Sequence, residues 1–393
     1  MSTDALTGNL LIDGQPVNRV EMPGAIDDLR DAVGSELTSI LIAGNGSRLS
    51  FGNSGGPFDY AISTRKLNRV LHYEPEDLTV AVEPGITVAE LNRVLGERNQ
   101  MLPTDDPQPE RTTLGGTYAS GLGGPRRLGY GSIKDWVLGV EVMAPDGVIT
   151  KSGGMVVKNV TGYDLPRLHY AAHGAFGIVT RLNLKVFPSP EASRSVVATY
   201  DNAGDAHRAG QAVLSSQLEP TSILVSNDSQ WRLFICCEGA SASIQRQVDD
   251  VTVVAQSIAE PLEMHVTEDG RAATEPFRSV MRLDAAVALA RLAIPPSGQM
   301  ELLERYQSIA QTRLCADLGS GVVYVSGLPS IEWREVIRQT SDRPVFVALP
   351  PELKNGIDVF GGMDAPNARI VTSLKDAFDP ARRLNRGRFV LGL

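Results

Sequence analysis

The stretch Thr112-Thr113-Leu114-Gly115-Gly116-Thr117-Tyr118-Ala119-Ser120-Gly121-Leu122-Gly123-Gly124-Pro125-Arg126-Arg127-Leu128-Gly129-Tyr130-Gly131 holds more glycine than a packed helix or strand tolerates. It reads as a loop wrapped around a large, flat, phosphate-bearing ligand. Glycine serves where the backbone needs positive φ or must approach a ligand closely, and successive bare N–H groups form concave anion-binding nests. Arg126 and Arg127 add positive charge beside them. The bland alternative is a glycine-rich surface loop.

Two strand patterns upstream also end in glycine turns. Ser39–Ala43 runs into Gly44-Asn45-Gly46-Ser47-Arg48, and Leu78–Val82 runs into Glu83-Pro84-Gly85. After the second turn, Thr87-Val88-Ala89-Glu90 is a capping box, with Val88, Leu91 and Leu95 on one face of the helix it opens. Downstream, Trp136–Met143 and Val148–Thr150 flank Asp146-Gly147, a hairpin signal. A long alternating strand, Gly177–Val186, ends at Phe187-Pro188-Ser189-Pro190.

Beyond Ser193 the pattern becomes β-α-β-β-α-β: Val196–Tyr200, a helix near Ala206–Ser216, Ser222–Val225, Arg232–Cys237, a helix near Ser243–Ser257, and Glu263–Val266. Further elements are expected at Val287–Ile294, Met300–Arg313 (helix), Val322–Val325, Val345–Val347 and a closing helix over Leu374–Pro380. The division follows as residues 1–190, 191–370 and a terminal segment, 371–393, returning to the first unit.

A chain of 393 residues suffices for two or three domains with real cores. Lys+Arg 37 against Asp+Glu 46 leaves a formal charge of −9, which disfavours nucleic acid and anionic membrane surfaces as partners. The arginines 382, 383, 386 and 388 are too interrupted to overturn this and read as an anion clamp or a solvated face. No leader pattern and no apolar run of spanning length occurs, so a cytoplasmic protein is expected, with any membrane attachment through a partner. Cys236, Cys237 and Cys315 contain no Cys-x-x-Cys and do not by themselves ligate an iron–sulfur cluster; buried strand thiols are the default.

Gly44–Ser47 offers what a pyrophosphate needs: exposed N–H groups and a hydroxyl, with Arg48 adjacent. Alone it reads first as an ordinary strand-end turn, since Leu49 breaks G-x-G-x-x-G and no Walker-type lysine follows. The order of loops decides more. Ala43–Arg48, Val82–Gly85, Thr113–Gly116 through Tyr130-Gly131-Ser132, Gly174–Val179 and the terminal Phe378-Asp379-Pro380…Asn385-Arg386-Gly387-Arg388 resemble the vanillyl-alcohol oxidase/PCMH-type FAD-binding family, with Arg386 in place of the usual proline. The resemblance covers roughly residues 40–190 and the C-terminus.

That resemblance implies an α+β fold: a PCMH-type FAD-binding domain of two α+β subdomains with a ferredoxin-like α+β cap. It implies FAD held by Gly44, Asn45, Gly46, Ser47, Arg48, Pro84, Gly85, Thr113, Leu114, Gly115, Gly116, Ser120, Gly121, Arg127, Tyr130, Gly131, Gly177, Ile178 and Val179. Within the family, Lys158–Leu165 and the compact cap are most similar to the FAD-binding subunits of bacterial glycolate oxidases, although Thr161–Asp164 also reads as a simple turn. Members with covalent flavin carry His or Cys in the first loop or the glycine run; here those places hold Asn45, Ser47 and Arg48, and residues 73–168 contain neither His nor Cys, which implies non-covalent FAD.

Catalytic relatives cluster histidines and an acidic residue in the cap to bind metal and take a proton. This chain has only His72, His169, His173, His207 and His265, so no metal site is expected and no catalytic residue is assigned. His169 and His173 are a conceivable metal pair without an evident third ligand, and packed imidazoles are the favoured reading. Asp105-Asp106 reads as a solvated turn before Pro107 or a carboxylate pair near the flavin. The resemblance thus implies a subunit relaying electrons from glycolate or another small 2-hydroxy acid, alongside a homologous catalytic flavoprotein and an iron–sulfur subunit. A self-sufficient dehydrogenase or oxidase using Tyr163, Tyr130 or Arg127, and a flavin-less scaffold, are the alternatives.

Overall fold

A computed structural model describes residues 10–34, 38–155, 163–227, 230–282, 287–309, 312–327 and 343–393. The N-terminal part is built on two sheets. In the first, Ile40–Ala43 and Val20–Glu21 flank Tyr60–Ser63, all parallel. In the second, five antiparallel strands run in the order Ile149–Gly153, Val137–Met143, Ile178–Lys185, Thr79–Val82, Val70–Glu74. The hairpin read at Asp146-Gly147 is present, with Ile149 opposite Met143 and Gly147 at φ +82°. The capping box at Thr87 and Glu90 is also formed, and Val88, Leu91 and Leu95 are the buried face of helix Val88–Gly96.

The remainder is dominated by an eight-stranded sheet, ordered Glu263–Thr267, Ala192–Tyr200, Trp231–Gly239, Ser222–Ser226, Arg313–Asp317, Val322–Gly327, Ala288–Ala293, Val345–Ala348. Its first four strands have the 4-1-3-2 order of a ferredoxin-like unit, and a second antiparallel set extends the same sheet. Helices Ala203–Leu214, Ser241–Ile258 and Gln299–Gln307 cover one face through Ala206, Val213, Val248, Val251 and Leu303, all nearly solvent-free. Alternation of strand side chains sends Leu224, Phe234, Leu289 and Tyr324 to the opposite face, where they meet Phe51 and Leu122 of the N-terminal part. The fold is therefore α+β, with the eight-stranded sheet laid over the glycine-rich region.

Four sequence expectations are corrected. The glycine run is not loop throughout: Leu114–Ser120 is a short helix, because Thr113 caps the N–H of Gly116 and Gly121 closes the other end at φ +64°. Trp136 ends a helical turn, Ile133–Trp136, rather than starting the strand. The helix expected over Met300–Arg313 stops at Gln307, and Arg313–Asp317 is a strand inserted between Ser222–Ser226 and Val322–Gly327. The closing helix is longer than its apolar signal and runs Ala365–Phe378, started by Asp364 accepting from the Asn367 N–H.

Contacts back to the N-terminal part begin upstream of that helix. Buried Lys354 pairs with Asp13 at 2.8 Å and donates to the Ser50 carbonyl at 3.0 Å. The chain end then threads the first sheet: the Asn385 N–H donates to Ile40 O at 2.9 Å, and Arg388 Nη2 donates to Leu49 O at 2.6 Å. Fully buried Lys375 donates to Ala175 O and Leu384 O while paired with Asp379 at 2.7 Å. Among the described residues, no helix is long and apolar enough to cross a membrane.

Candidate functional site

The strand Ile40–Ala43 delivers the turn Gly44–Arg48 to the mouth of a cavity of about 110 Å³. Gly46 sits at φ +76°, which a side chain would strain. The turn is held from behind: Ser63 Oγ donates to Gly44 O at 2.6 Å, and Asn45 Nδ2 donates to Arg111 O at 3.1 Å. The backbone N–H groups of Asn45, Gly46, Ser47 and Arg48 donate to nothing among the described residues. Asn45 Oδ1 and Arg48 Nε are buried without a hydrogen-bond partner. Such unspent buried groups are costly unless a ligand completes them, and free N–H groups in a turn are what a pyrophosphate takes up.

The second wall comes from the glycine run, and here the N–H groups are already used. Leu114 donates to Ile86 O at 2.8 Å, Gly115 to Pro84 O at 2.7 Å, and Gly116 to Thr113 Oγ1 at 3.2 Å. The anion nest read into this segment therefore lies in Asn45–Arg48 instead. What glycine provides here is closeness: a Cβ on Gly115 would stand 2.6 Å from Pro84 Cβ, and one on Gly44 would stand 2.1 Å from Thr113 Oγ1. The three turns interlock around the cavity, and the turn at Pro84 is itself anchored by Glu83, which accepts from Arg69 N at 2.8 Å and pairs with its guanidinium at 2.7 Å.

Of the residues read from the sequence, Gly44, Asn45, Gly46, Ser47, Arg48, Pro84, Thr113, Gly115, Gly116, Ser120, Gly177, Ile178 and Val179 line this cavity. Gly85, Leu114, Gly121, Arg127, Tyr130 and Gly131 do not. A Cβ on Gly85 would fall 2.1 Å from the Thr64 carbonyl, so this glycine lets two backbones touch. Leu114 is fully buried in the core behind the turn. Gly121 and Gly131, at φ +64° and +76°, terminate short helices. The Tyr130 ring packs edge-on against Phe187, and its carbonyl accepts from Trp136 Nε1 at 2.8 Å. Arg127 places its charge near Tyr170, Asp317 and Tyr324, under the large sheet.

Arg48 differs from its sequence reading. Its Nη2 closes on Asp106, whose side chain is 3% exposed and also accepts from Gln108 N and Thr112 Oγ1. Its charge is thus matched within the chain, and Asp105-Asp106 is a buried anchor rather than a solvated turn. Asp105 in turn holds Arg126, through Nε at 2.7 Å and the backbone N–H at 3.0 Å. Arg126 Nη1 reaches Glu238 at 3.2 Å, so one arginine ties the two parts of the molecule together.

Sequence reasoning missed several wall residues: Phe51, Thr64, His169, Ala172, His173 and Phe176. The signal available was position, since most of these precede or sit within Gly174–Val179. His169 lies edge-on to Phe378, and His173 to Phe51 and Phe360, with centroids 4.4 and 5.0 Å away for the latter pair. Burial pushes His169 down to about 4 and, with the Arg388 charge, His173 down to about 3, so both imidazoles are neutral at pH 7. No metal-holding cluster exists among the described residues. Asn385 fixes this side by accepting from Ile42 N at 2.7 Å and donating to the His173 carbonyl. Tyr163 is 90% exposed, and residues 158–162 of the motif it belongs to lie outside the described residues.

Residues 18–163 match the model of a family described as "FAD binding domain". The chain is 26% identical over 393 aligned residues to glycolate oxidase subunit GlcD of Bacillus subtilis, covering 89% of this chain and 83% of that protein. It is 36% identical over 165 residues to glycolate oxidase subunit GlcE of Escherichia coli, covering 41% of this chain and 46% of that subunit, which is less than half its length. A solved alkyldihydroxyacetonephosphate synthase superposes with a TM-score of 0.72 at 16% identity, over 94% of this chain and 77% of that one; this likeness is one of fold. The chain is similar to the vanillyl-alcohol oxidase/PCMH-type FAD-binding family, with residues 18–163 matching the FAD binding domain. It is an FAD-dependent oxidoreductase, and FAD is its cofactor. The unspent N–H groups of Asn45–Arg48 and the unpartnered Asn45 Oδ1 fit such a dinucleotide.

Proposed function

We propose that this chain is the FAD-binding subunit of a glycolate oxidase-type complex, binding FAD without a covalent link and passing on electrons taken from a small 2-hydroxy acid. The observation that carries the reading is the cavity at the convergence of Gly44–Arg48, Pro84, Thr113–Gly116 and Gly177–Val179, with its open N–H groups in the first turn. Similarity to proteins named glycolate oxidase subunits supports the substrate class. Bound FAD supplies the redox chemistry, accepting electrons and releasing them onward. The chain's own residues do the rest: Asn45–Arg48 take the pyrophosphate, Thr113–Ser120 form one wall, and neutral His169 and His173 with Phe51 and Phe176 exclude water.

Partners in this reading are a homologous catalytic flavoprotein and an iron–sulfur subunit. The three cysteines here are buried thiols in the large sheet, and burial with the Glu238 charge pushes Cys236 and Cys237 up to about 12. They suit a core and not a cluster. Non-covalent binding rests on the absence of His and Cys from the Gly44–Arg48 turn and the glycine run. The test is one spectrum before and after acid precipitation of the protein loaded with FAD. Yellow flavin released into the supernatant is expected; a colourless preparation would end the proposal, and flavin retained in the pellet would end the non-covalent part.

A second reading, a self-sufficient 2-hydroxy acid dehydrogenase, is favoured by the length of the match to the Bacillus subtilis protein. Single-chain reduction of an artificial acceptor by glycolate distinguishes it from activity that needs added partner subunits.

A further inference from the structure

The turn Gly44–Arg48 keeps its open N–H groups in one arrangement only if both of its ends are fixed from outside. Upstream, Ser63 Oγ holds the Gly44 carbonyl. Downstream, the carbonyls of three consecutive residues, Leu49, Ser50 and Phe51, are all taken by two buried cations. Arg388 Nη2 donates to Leu49 O at 2.6 Å and to Phe51 O at 3.0 Å, and Lys354 Nζ donates to Ser50 O at 3.0 Å. Both cations converge on one buried carboxylate: Asp13 Oδ1 lies 2.8 Å from Lys354, and Asp13 Oδ2 lies 3.5 Å from Arg388.

The three side chains reach this knot from separate parts of the chain. Asp13, at φ +49°, and Gly14, at φ +81°, form the tip of the hairpin Leu10–Ile12 with Gln15–Val17, a left-handed turn that Asp and Gly tolerate. Ile12 and Val17 pack with Leu41, Phe58 and Ala61, which pins the tip to the sheet whose strand Ile40–Ala43 delivers the turn. Arg388 fits because a Cβ on Gly55 would stand 2.5 Å from its Cγ. Lys354 comes from the other unit, at the end of helix Pro351–Lys354 just past the last strand of the large sheet. The same contact continues where Val359 N donates to Asn53 Oδ1 at 2.8 Å. Among the described residues, two cations against one carboxylate leave a positive charge unbalanced beside the cavity that Leu49, Phe51 and Arg388 help to line, which favours an anionic ligand there. The reach of that charge shows in the wall, where Arg388 adds to burial in holding His173 neutral.

We propose that Asp13 and Lys354, neither of which lines the cavity, are positioning residues for FAD: with Arg388 they hold Leu49–Phe51, keep the Asn45–Arg48 N–H groups in the arrangement a diphosphate takes up, and so couple FAD binding to the terminal hairpin and to the seating of the large sheet. The inference rests on FAD as the cofactor and not on which acid supplies its electrons. A turn already shaped for its ligand spares the ordering cost at binding, so loosening its downstream end lowers affinity. Coupling is reciprocal, and FAD therefore steadies the hairpin and Lys354 as much as they steady FAD.

The experiment titrates FAD into the flavin-free full chain, read by flavin fluorescence, for wild type, Asp13→Asn, Asp13→Glu and Lys354→Met. Val248→Ala, a truncation in the core under helix Ser241–Ile258, controls for lost stability alone. At a temperature where each apo variant is native, plain destabilisation leaves the dissociation constant unmoved, and Val248→Ala should bind FAD as wild type does. Asp13→Asn and Lys354→Met should each weaken FAD about tenfold, equivalent to about 1.4 kcal/mol, and Asp13→Glu should recover most of the loss. ADP, which carries the diphosphate without the flavin, should weaken in parallel when read by displacement of FAD; a loss confined to FAD overturns the diphosphate assignment. Wild-type FAD affinity in both Asp13→Asn and Lys354→Met overturns the proposal, as does equal weakening in Val248→Ala. If a variant does not fold, hydrogen exchange on the wild-type chain decides: FAD should slow exchange at residues 10–17 and 352–354, and unchanged exchange there overturns the coupling. A wild-type chain that takes up no FAD removes the cofactor itself, whereas FAD uptake with either overturning result removes only the positioning role.

Discussion

Two glycine-rich segments of this chain resemble each other on paper and differ in what their glycines are for. In Gly44–Arg48, glycine permits a left-handed turn whose N–H groups, from Asn45 to Arg48, donate to nothing among the described residues. In Thr113–Gly121, the first N–H groups are consumed by Ile86, Pro84 and Thr113, and glycine permits one backbone to lie against another. The first segment offers binding capacity and the second offers shape. Composition alone cannot separate these uses, because missing side chains serve both.

The comparison can be broken most severely at Arg48. Were it a ligand-facing cation, Arg48→Ala would reduce FAD affinity and leave the apo fold alone. With its charge matched by nearly solvent-free Asp106, the substitution should instead cost about 3–5 kcal/mol of stability, read as a lower thermal midpoint of the apo protein. Next come the contact glycines. Gly85→Ala and Gly115→Ala place a methyl into backbone or proline and should each destabilise by about 1–3 kcal/mol or more, again in the apo protein. Equal midpoints for Gly115→Ala and wild type would show that the second wall is looser than described.

A pH titration tests the wall that neither glycine segment builds. His169 and His173 are held below their ordinary value of 6.5, so the unfolded chain binds more protons than the native one as pH falls. Their stability contribution is complete above about pH 6.5 and is lost as pH drops through about 4 and about 3. Each should add up to ~1.4 kcal/mol of loss per pH unit in that window. Denaturation midpoints of His169→Asn and wild type between pH 7 and 4 check this; parallel curves would contradict it. Smallest in stability is the pair Thr113→Ala and Asn45→Ala. Loss of the Thr113 cap should cost about 1 kcal/mol in the apo protein. Asn45→Ala, which removes the bond from Asn45 Nδ2 to Arg111 O, should cost the apo protein about 0.5–1.5 kcal/mol and show weaker FAD retention in a fluorescence titration.

Much of the fold was legible because local signals and tertiary outcome agreed. The Thr87 capping box, the Asp146-Gly147 hairpin and the β-α-β-β-α-β order each rest on interactions within a few residues or on a simple period, and each is present. The strand Arg313–Asp317 was not legible. It carries Leu314, Cys315 and Ala316 with no room to show alternation, and its pairing with residues near 224 and 323 decides its state. The helix Leu114–Ser120 was hidden by its glycines, which disfavour helix locally; burial of Leu114 and Tyr118 outweighs them.

By itself, then, the sequence determined which turns exist and in what order they follow their strands, since strand periodicity, capping and turn chemistry are short-range. It also determined that few histidines and cysteines are on hand for metal or covalent flavin chemistry. Only the tertiary structure decided which turn keeps its N–H groups free, that Arg48 answers to Asp106, and that two histidines complete the cavity wall. The reason is physical: whether a polar group is spent or available depends on partners tens to hundreds of residues away, and desolvation at the place where they meet sets the cost of leaving it unpaired.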